Sequence, residues 1–268
     1  MHLTWLAKQN AEEIALALFI AMLAAAEIGF RVGRRWHRKV DPPGKGHFGT
    51  AQGVVLTLMG LLLAFTFNIS AQRYETRRQL VITEANTIAG LYSRSDLLPE
   101  PQHTKFRESL RQYLDIRLSL ANLSPHQGET ALPEAIQTSE RLQDQMWALV
   151  KDCLQNGRVE GAKDLVGPLI DMFSLQRSRL SAYEIRVPDM IIWLLMGAAV
   201  MAAASIGYSG GLKRHRGVLA KILLALTVSC VIMVMLSLDR PGGRLLKVSQ
   251  DPLIQAREAM SPKMEGTN

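Results

Sequence analysis

Apolar and polar positions along this chain fall into four long apolar blocks, with the charges lying almost entirely between them. The blocks run from about Ile14 to Gly33, Val54 to Ala71, Pro188 to Gly210 and Val218 to Leu238. Each holds about 18–23 residues, enough to cross roughly 30 Å of hydrocarbon at about 1.5 Å per residue. Four such blocks in 268 residues leave too little chain to cover them as buried core helices of a water-soluble protein. They read as four transmembrane helices. The first does not have the pattern of a cleaved leader, because Met1 to Glu13 carries one Lys and two Glu and no small-residue cleavage site follows.

Between the second and third blocks the pattern becomes that of amphipathic helices, with no sustained strand-like alternation. No Gly or Pro interrupts Leu61 to Ala89, so the second helix is expected to continue past the membrane. Val81, Ala85, Ile88 and Tyr92 then share one face, and the helix ends before Pro99 and Pro101. Such a helix has about fifty residues and a length of about 70 Å. A second amphipathic helix follows Pro101, with Phe106, Leu110, Tyr113 and Leu114 inward. It stops at a turn over Asn122 to Gly128. A third is expected to start at Pro133, with Leu142, Met146, Leu149 and Cys153 on one side, and to break at Asn156–Gly157. A fourth carries Leu169, Met172, Phe173, Leu180 and Tyr183 towards Pro188, which suits the first turn of the third span. The expected fold is all-α: four transmembrane helices with an inserted antiparallel helical bundle, the second transmembrane helix continuous into it. The corresponding segments are 1–72 with the basic connecting loop, 73–187 as the extramembrane bundle, 188–240, and a C-terminal tail at 241–268.

Charge adds orientation. The formal net charge is +7, and its basic residues flank the spans. Arg31, Arg34, Arg35, Arg38, Lys39 and Lys45 separate the first two spans, and Lys213, Arg214 and Arg216 the last two. These short loops lie on one side and read as cytoplasmic, which puts residues 73–187 outside the cytoplasm. Arg240, Arg244 and Lys247 after the fourth span pull the other way. No basic face with interleaved aromatics marks a nucleic-acid surface, so the bilayer is the partner the charge implies.

Chemistry-bearing motifs are few. The six His are scattered through tails and loops, the two Cys have no CxxC partner, and no metal site or cofactor is expected. There is no Gly-rich phosphate loop, Ser/His/Asp set or paired-carboxylate signature, so no residue is read as catalytic and no enzyme is expected. The spans themselves carry more. Ala21, Ala25, Gly29 and Gly33, and likewise Ala199, Ala203, Gly207 and Gly211, form rows of small residues four apart that permit close helix approach. On the second helix Gly53, Thr57, Gly60, Ala64 and Asn68 form a small, weakly polar stripe, while Leu56, Leu63, Phe65 and Phe67 take other faces. Such a stripe must face protein or water rather than lipid. It is either a packing seam, with Thr57 and Asn68 bonded to neighbouring helices, or the lining of a path for inorganic ions in a ring of subunits. Two charge pairs border the spans. Glu27 and Arg31 fit an i,i+4 ion pair or, more boldly, an ion site. Asp239 and Arg240 fit a helix-exit pair or a gate contact.

The stretches RRQLVITEANTIAGLYSRSDLLPEP, Leu110 to Leu118, and LSLDRPGGRLLKVSQDPL resemble the bestrophin-like bacterial membrane proteins, a domain family of unknown function. The resemblance covers about Gly49 to Leu253 and is most specific at Glu84–Ala85–Asn86 and Asp239–Arg240–Pro241. Bestrophins are pentameric anion channels with a large domain between the second and third spans, so the resemblance implies this architecture, a homo-oligomer and an ion path. Two departures stand out. The basic loops place the inserted domain outside the cytoplasm rather than in it, and no stretch matches the acidic calcium clasp of animal bestrophins. The resulting expectation is an oligomeric ion channel or transport protein of the bacterial inner membrane, its path lined by the second helix. The alternative is a non-conducting envelope protein whose helical domain binds a partner or senses a signal.

Overall fold

The computed structural model of the chain describes residues 9–36, 42–122, 125–156, 159–213, 216–240 and 246–261. Among these the fold is all-α, with no strand. The helices are α1 (Ala11–Trp36), α2 (Pro42–Arg94), α3 (Gln102–Asn122), α4 (Pro125–Gln155), α5 (Val159–Glu184), α6 (Asp189–Leu212), α7 (Val218–Asp239) and α8 (Asp251–Met260). A short 3₁₀ turn, Ser95–Leu97, ends α2. Four of the helices, α1, α2, α6 and α7, are long and apolar enough to cross a membrane. The chain divides into two compact units, residues 1–74 with 186–246, and residues 75–185 with 247–268.

The first unit, called the membrane unit here, is built on backbone proximity. A Cβ placed on Gly207 would lie 1.9 Å from the Ala26 carbonyl oxygen, and one on Gly29 2.2 Å from that of Ala204. Gly33 meets the Tyr208 carbonyl and Gly211 that of Phe30 in the same way. α1 and α6 therefore cross with no side chain between them, as small residues allow in lipid. On α6 the expected row, Ala199, Ala203, Gly207 and Gly211, is buried throughout. On α1 the buried row is Met22, Ala26, Gly29 and Gly33, while Ala21 is exposed and Ala25 half-buried. The contact face of α1 steps by four, three and four residues through Met22, Ala26, Gly29 and Gly33, close to the helical repeat, and so passes beside Ala25 and Ala21. α7 closes the unit with Ala225, Val228, Ile232, Met235 and Leu236, and α2 adds Met59 with partly buried Val55, Leu56 and Leu63. Gly217, at φ 44°, takes the left-handed turn that leads into α7.

The second unit, the bundle, has a core of ordinary side-chain packing. Val81, Ala85, Ile88 and Leu91 of α2 meet Phe106, Leu110, Tyr113 and Leu114 of α3, Leu142, Met146, Val150 and Cys153 of α4, and Ala162, Leu165, Leu169 and Met172 of α5. The expected inward residues of α3 are all completely buried. Two boundaries differ from expectation. α4 begins at Pro125 and carries Pro133 in its interior. Pro125 occupies the helix start, where proline's missing N–H costs nothing, so the helix is already under way when Pro133 interrupts a single bond. The C-terminal segment forms α8, whose Leu253, Ala256 and Met260 enter the same core. Pro252 sits in its first turn.

Candidate functional site

α2 presents three faces where it belongs to the membrane unit. At about 100° per residue, Val55, Met59, Leu63, Thr66 and Ser70 centre on one direction, and all of them are buried or half-buried in the unit. Thr66 donates its hydroxyl to the Leu62 carbonyl at 2.7 Å, which satisfies it within its own helix. Gly60, Gly53, Ala64, Thr57 and Asn68 lie about 100–180° further round, and Leu61, Val54, Phe65, Leu58 and Ile69 about 200–280° round. Every residue of both latter faces is exposed in the single chain. The small stripe is thus a face of its own, distinct from the large apolar face beside it. Among the described residues, no atom beyond the adjoining backbone of its own helix approaches within 4 Å of a Cβ built on Gly53 or Gly60. Thr57 donates to the Gly53 carbonyl at 3.0 Å, not to another helix. Among the described residues, the packing of one chain leaves the stripe uncovered.

The border charges take defined partners. Arg31 Nε donates to Glu27 Oε1 at 3.0 Å on the exposed face of α1, an i,i+4 pair open to its surroundings. Asp239 is buried at the end of α7. Both its carboxylate oxygens accept from the Val187 N–H at 3.1 Å, and Arg73 Nη1 donates to Oδ1 at 3.3 Å. The carboxylate thereby takes up an amide that lies before Pro188, the cap of α6, and so outside helical pairing. Arg240 donates to the Gln9 carbonyl. Each member of the Asp239–Arg240 dipeptide ties the end of α7 to a different segment of the same unit.

The bundle holds a constellation that the sequence reading did not single out as a site. Glu84 is completely buried. Its Oε1 accepts from Arg117 Nε at 2.8 Å, and its Oε2 from Arg179 Nη1. The Tyr113 hydroxyl lies 3.2 Å from Glu84 Oε1 and 3.1 Å from Gln176 Oε1, and its one proton serves either. Gln143 donates to Gln176 at 2.8 Å, and Arg179 Nη2 to Gln250 Oε1 at 3.3 Å. Burial alone would raise the Glu84 pKa, but the paired guanidiniums of Arg117 and Arg179 outweigh it and hold the carboxyl below its usual range. Burial, together with the Glu84 charge, pushes the Tyr113 phenol up and keeps it protonated. The signal was present in the pattern. Glu84 stands between Val81 and Ile88 on the apolar face of α2, and Arg117 follows Tyr113 and Leu114 at helical spacing on α3.

Known proteins match both the segment arrangement and the fold. The bestrophin-like domain family matches residues 14–253, from the first span to the start of α8.

The chain belongs to the bestrophin-like family.

Solved structures agree on the fold. One described as a membrane protein, in a point-mutant form, gives a TM-score of 0.72 at 11% identity, covering 92% of this chain and 97% of its own. A bacterial bestrophin homologue from Klebsiella pneumoniae gives 0.69 at 12% identity, covering 94% and 96%. A second structure of a Klebsiella pneumoniae bestrophin homologue gives 0.68 at 12% identity, covering 91% and 95%. No curated protein matches the chain in sequence. This is therefore a bestrophin-like integral membrane protein with its inserted residues between the second and third membrane helices. Among the described residues no group of three or more His, Cys, Asp or Glu is arranged to hold a metal ion.

Proposed function

We propose that this bestrophin-like protein is an oligomeric ion channel or transport protein of the bacterial inner membrane, with the Gly53, Thr57, Gly60, Ala64 and Asn68 stripe of α2 lining the path. The observation that supports this reading is the three-sided character of α2. One face packs into the protomer, and one is large and apolar, suited to lipid or a neighbouring subunit. The stripe is exposed, small and weakly polar, which suits neither lipid nor the protomer core. A ring of subunits that brings the stripes together around water gives that face an environment consistent with its chemistry. A lining of hydroxyl, amide and small groups binds ions weakly enough to release them.

Reconstitution into liposomes tests the proposal. The wild-type protein passes inorganic ions, and Asn68→Leu or Thr57→Leu reduces the flux severalfold while leaving the folded yield unchanged. Absence of any ion flux from the purified oligomer would overturn it. The proposed orientation, with residues 73–187 outside the cytoplasm, rests on the basic loops. An alkaline phosphatase fused at Gln127 is then active, and an inactive fusion reverses the topology.

A further inference from the structure

A second feature of the membrane unit is a shallow pocket where α6 begins and α7 ends. It is lined by Arg186, Val187, Asp189, Ile192, Leu236, Asp239 and Arg240. Its floor is apolar and closed, since Val187, Ile192 and Leu236 are each at most 4% exposed. Its rim is charged. Asp239 is engaged by the Val187 N–H and by Arg73, so much of its charge is met from within the unit. Arg240 is anchored at the rim through its bond to Gln9, and Arg186 is exposed beside it. Among the described residues, and counting Arg73 through its bond to Asp239, three guanidiniums stand against the carboxylates of Asp189 and Asp239, a positive excess around an open concavity.

The surroundings say what kind of anion fits. The pocket lies at the ends of two membrane-length helices, the level at which lipid headgroups sit. Two large side chains of the first turns of α6 stand out from the unit: Met190 is 83% exposed and Trp193 52% exposed. An exposed Trp one turn inside a span is the usual anchor at the headgroup boundary, and Met190 beside it offers an adaptable apolar surface for an acyl chain. Planar guanidiniums recognise phosphate oxygens through paired N–H donors.

We propose that this pocket binds the phosphate of a phospholipid headgroup, with Arg186 and Arg240 on the phosphate oxygens and the acyl chain along Met190 and Trp193. Asp189 is the pocket's acidic edge, suited to a hydroxyl or ammonium on the headgroup. The same guanidiniums could take a soluble phosphate, and the experiment separates the two sources.

The test is lipid retention by the purified, detergent-solubilised full-length protein, read by native mass spectrometry with phosphatidylglycerol, diacylglycerol or inorganic phosphate added. Phosphatidylglycerol is retained and diacylglycerol is not. Arg186→Gln lowers the apparent affinity about tenfold, the size expected for one charge-assisted contact, and Arg186→Lys restores part of it. Arg177→Gln removes the same charge from an exposed site on the bundle and leaves retention unchanged. Unaltered thermal unfolding of Arg186→Gln shows that the loss is not one of folding. Equal retention by wild type and Arg186→Gln, or equal retention of diacylglycerol, overturns the site. Displacement of the lipid by an equimolar amount of inorganic phosphate overturns the assignment to lipid.

Discussion

In the membrane unit the tightest contacts are between backbones, with Gly207 against Ala26 and Gly29 against Ala204. In the bundle the interior is filled by Phe106, Tyr113, Met146 and Leu169, and it encloses the charged Glu84, Arg117 and Arg179. The difference follows from solvent. Water drives large apolar side chains together in the bundle, and the folded core then tolerates a carboxylate only because two guanidiniums and a phenol satisfy it. Lipid supplies no such drive, because tails are as apolar as leucine, so the membrane unit relies on close approach of small residues, with hydroxyls such as those of Thr66 and Ser237 bonded within their own helix. The first kind of core is sensitive to loss of a partner. The second is sensitive to gain of an atom.

The largest expected effect tests the first half of that contrast. Glu84→Ala strands two buried guanidiniums and should destabilise the bundle by about 3–5 kcal/mol, because removing one partner of a buried pair leaves the others uncompensated. Chemical denaturation of the detergent-solubilised protein measures it. Replacing all three at once, as Glu84→Met, Arg117→Leu and Arg179→Met, should do less damage than Glu84→Ala alone. If the triple variant is the worse, the charges contribute more than mutual compensation. Acid offers a graded version. The Glu84 carboxyl is held below its ordinary value of 4.5 in the folded state. Its contribution is therefore fully present above that value and is lost as pH falls through the lower folded pKa. The stability gap between wild type and Glu84→Gln should be constant from neutral pH down to about pH 5 and close only in stronger acid. A gap that closes near neutrality would contradict the assignment.

The second half is tested by adding single methyl groups. Gly207→Ala places a Cβ into the Ala26 carbonyl and should cost about 1–3 kcal/mol, since neither backbone can yield locally. Gly197→Ala, on the same helix with nothing within 4 Å, should be neutral or stabilising by up to about 1 kcal/mol through helix propensity. Melting curves of the two variants in one detergent compare them directly. Similar shifts for both would mean that the α1–α6 contact is less close than the structure describes.

How much of this was legible in the sequence depended on periodicity. The four spans, the uninterrupted passage of α2 from Leu61 to Ala89 and the inward faces of α3 follow from length and from apolar residues at helical spacing, and Phe106, Leu110, Tyr113 and Leu114 are buried as expected. Pro133 misled because proline marks the start of a helix more often than its interior, and Pro125 held the true start eight residues earlier. The Ala21 and Ala25 positions misled because the contact face of α1 runs through Met22 and Ala26 instead, one position further along the helix. Glu84 was visible only as part of a motif, since an acidic residue on an apolar face has no meaning until Arg117 and Arg179 arrive from other helices. The α2 stripe was legible as a stripe. Its exposure was not, because which face of a helix stays uncovered depends on where α1, α6 and α7 pack.

We propose that the Gly53–Asn68 face of α2, and not the apolar face beside it, meets water in the assembled protein. Single cysteines introduced at Thr57, Ala64 and Asn68, and at Leu58, Leu62 and Ile69 for comparison, decide it in a background with Cys153 and Cys230 replaced by serine. Ion flux through reconstituted liposomes is recorded before and after a membrane-impermeant, charged thiol reagent. Modification and loss of flux are expected at Thr57, Ala64 and Asn68, with little change at the other three. Modification at Leu58, Leu62 and Ile69 with Thr57, Ala64 and Asn68 protected would contradict it.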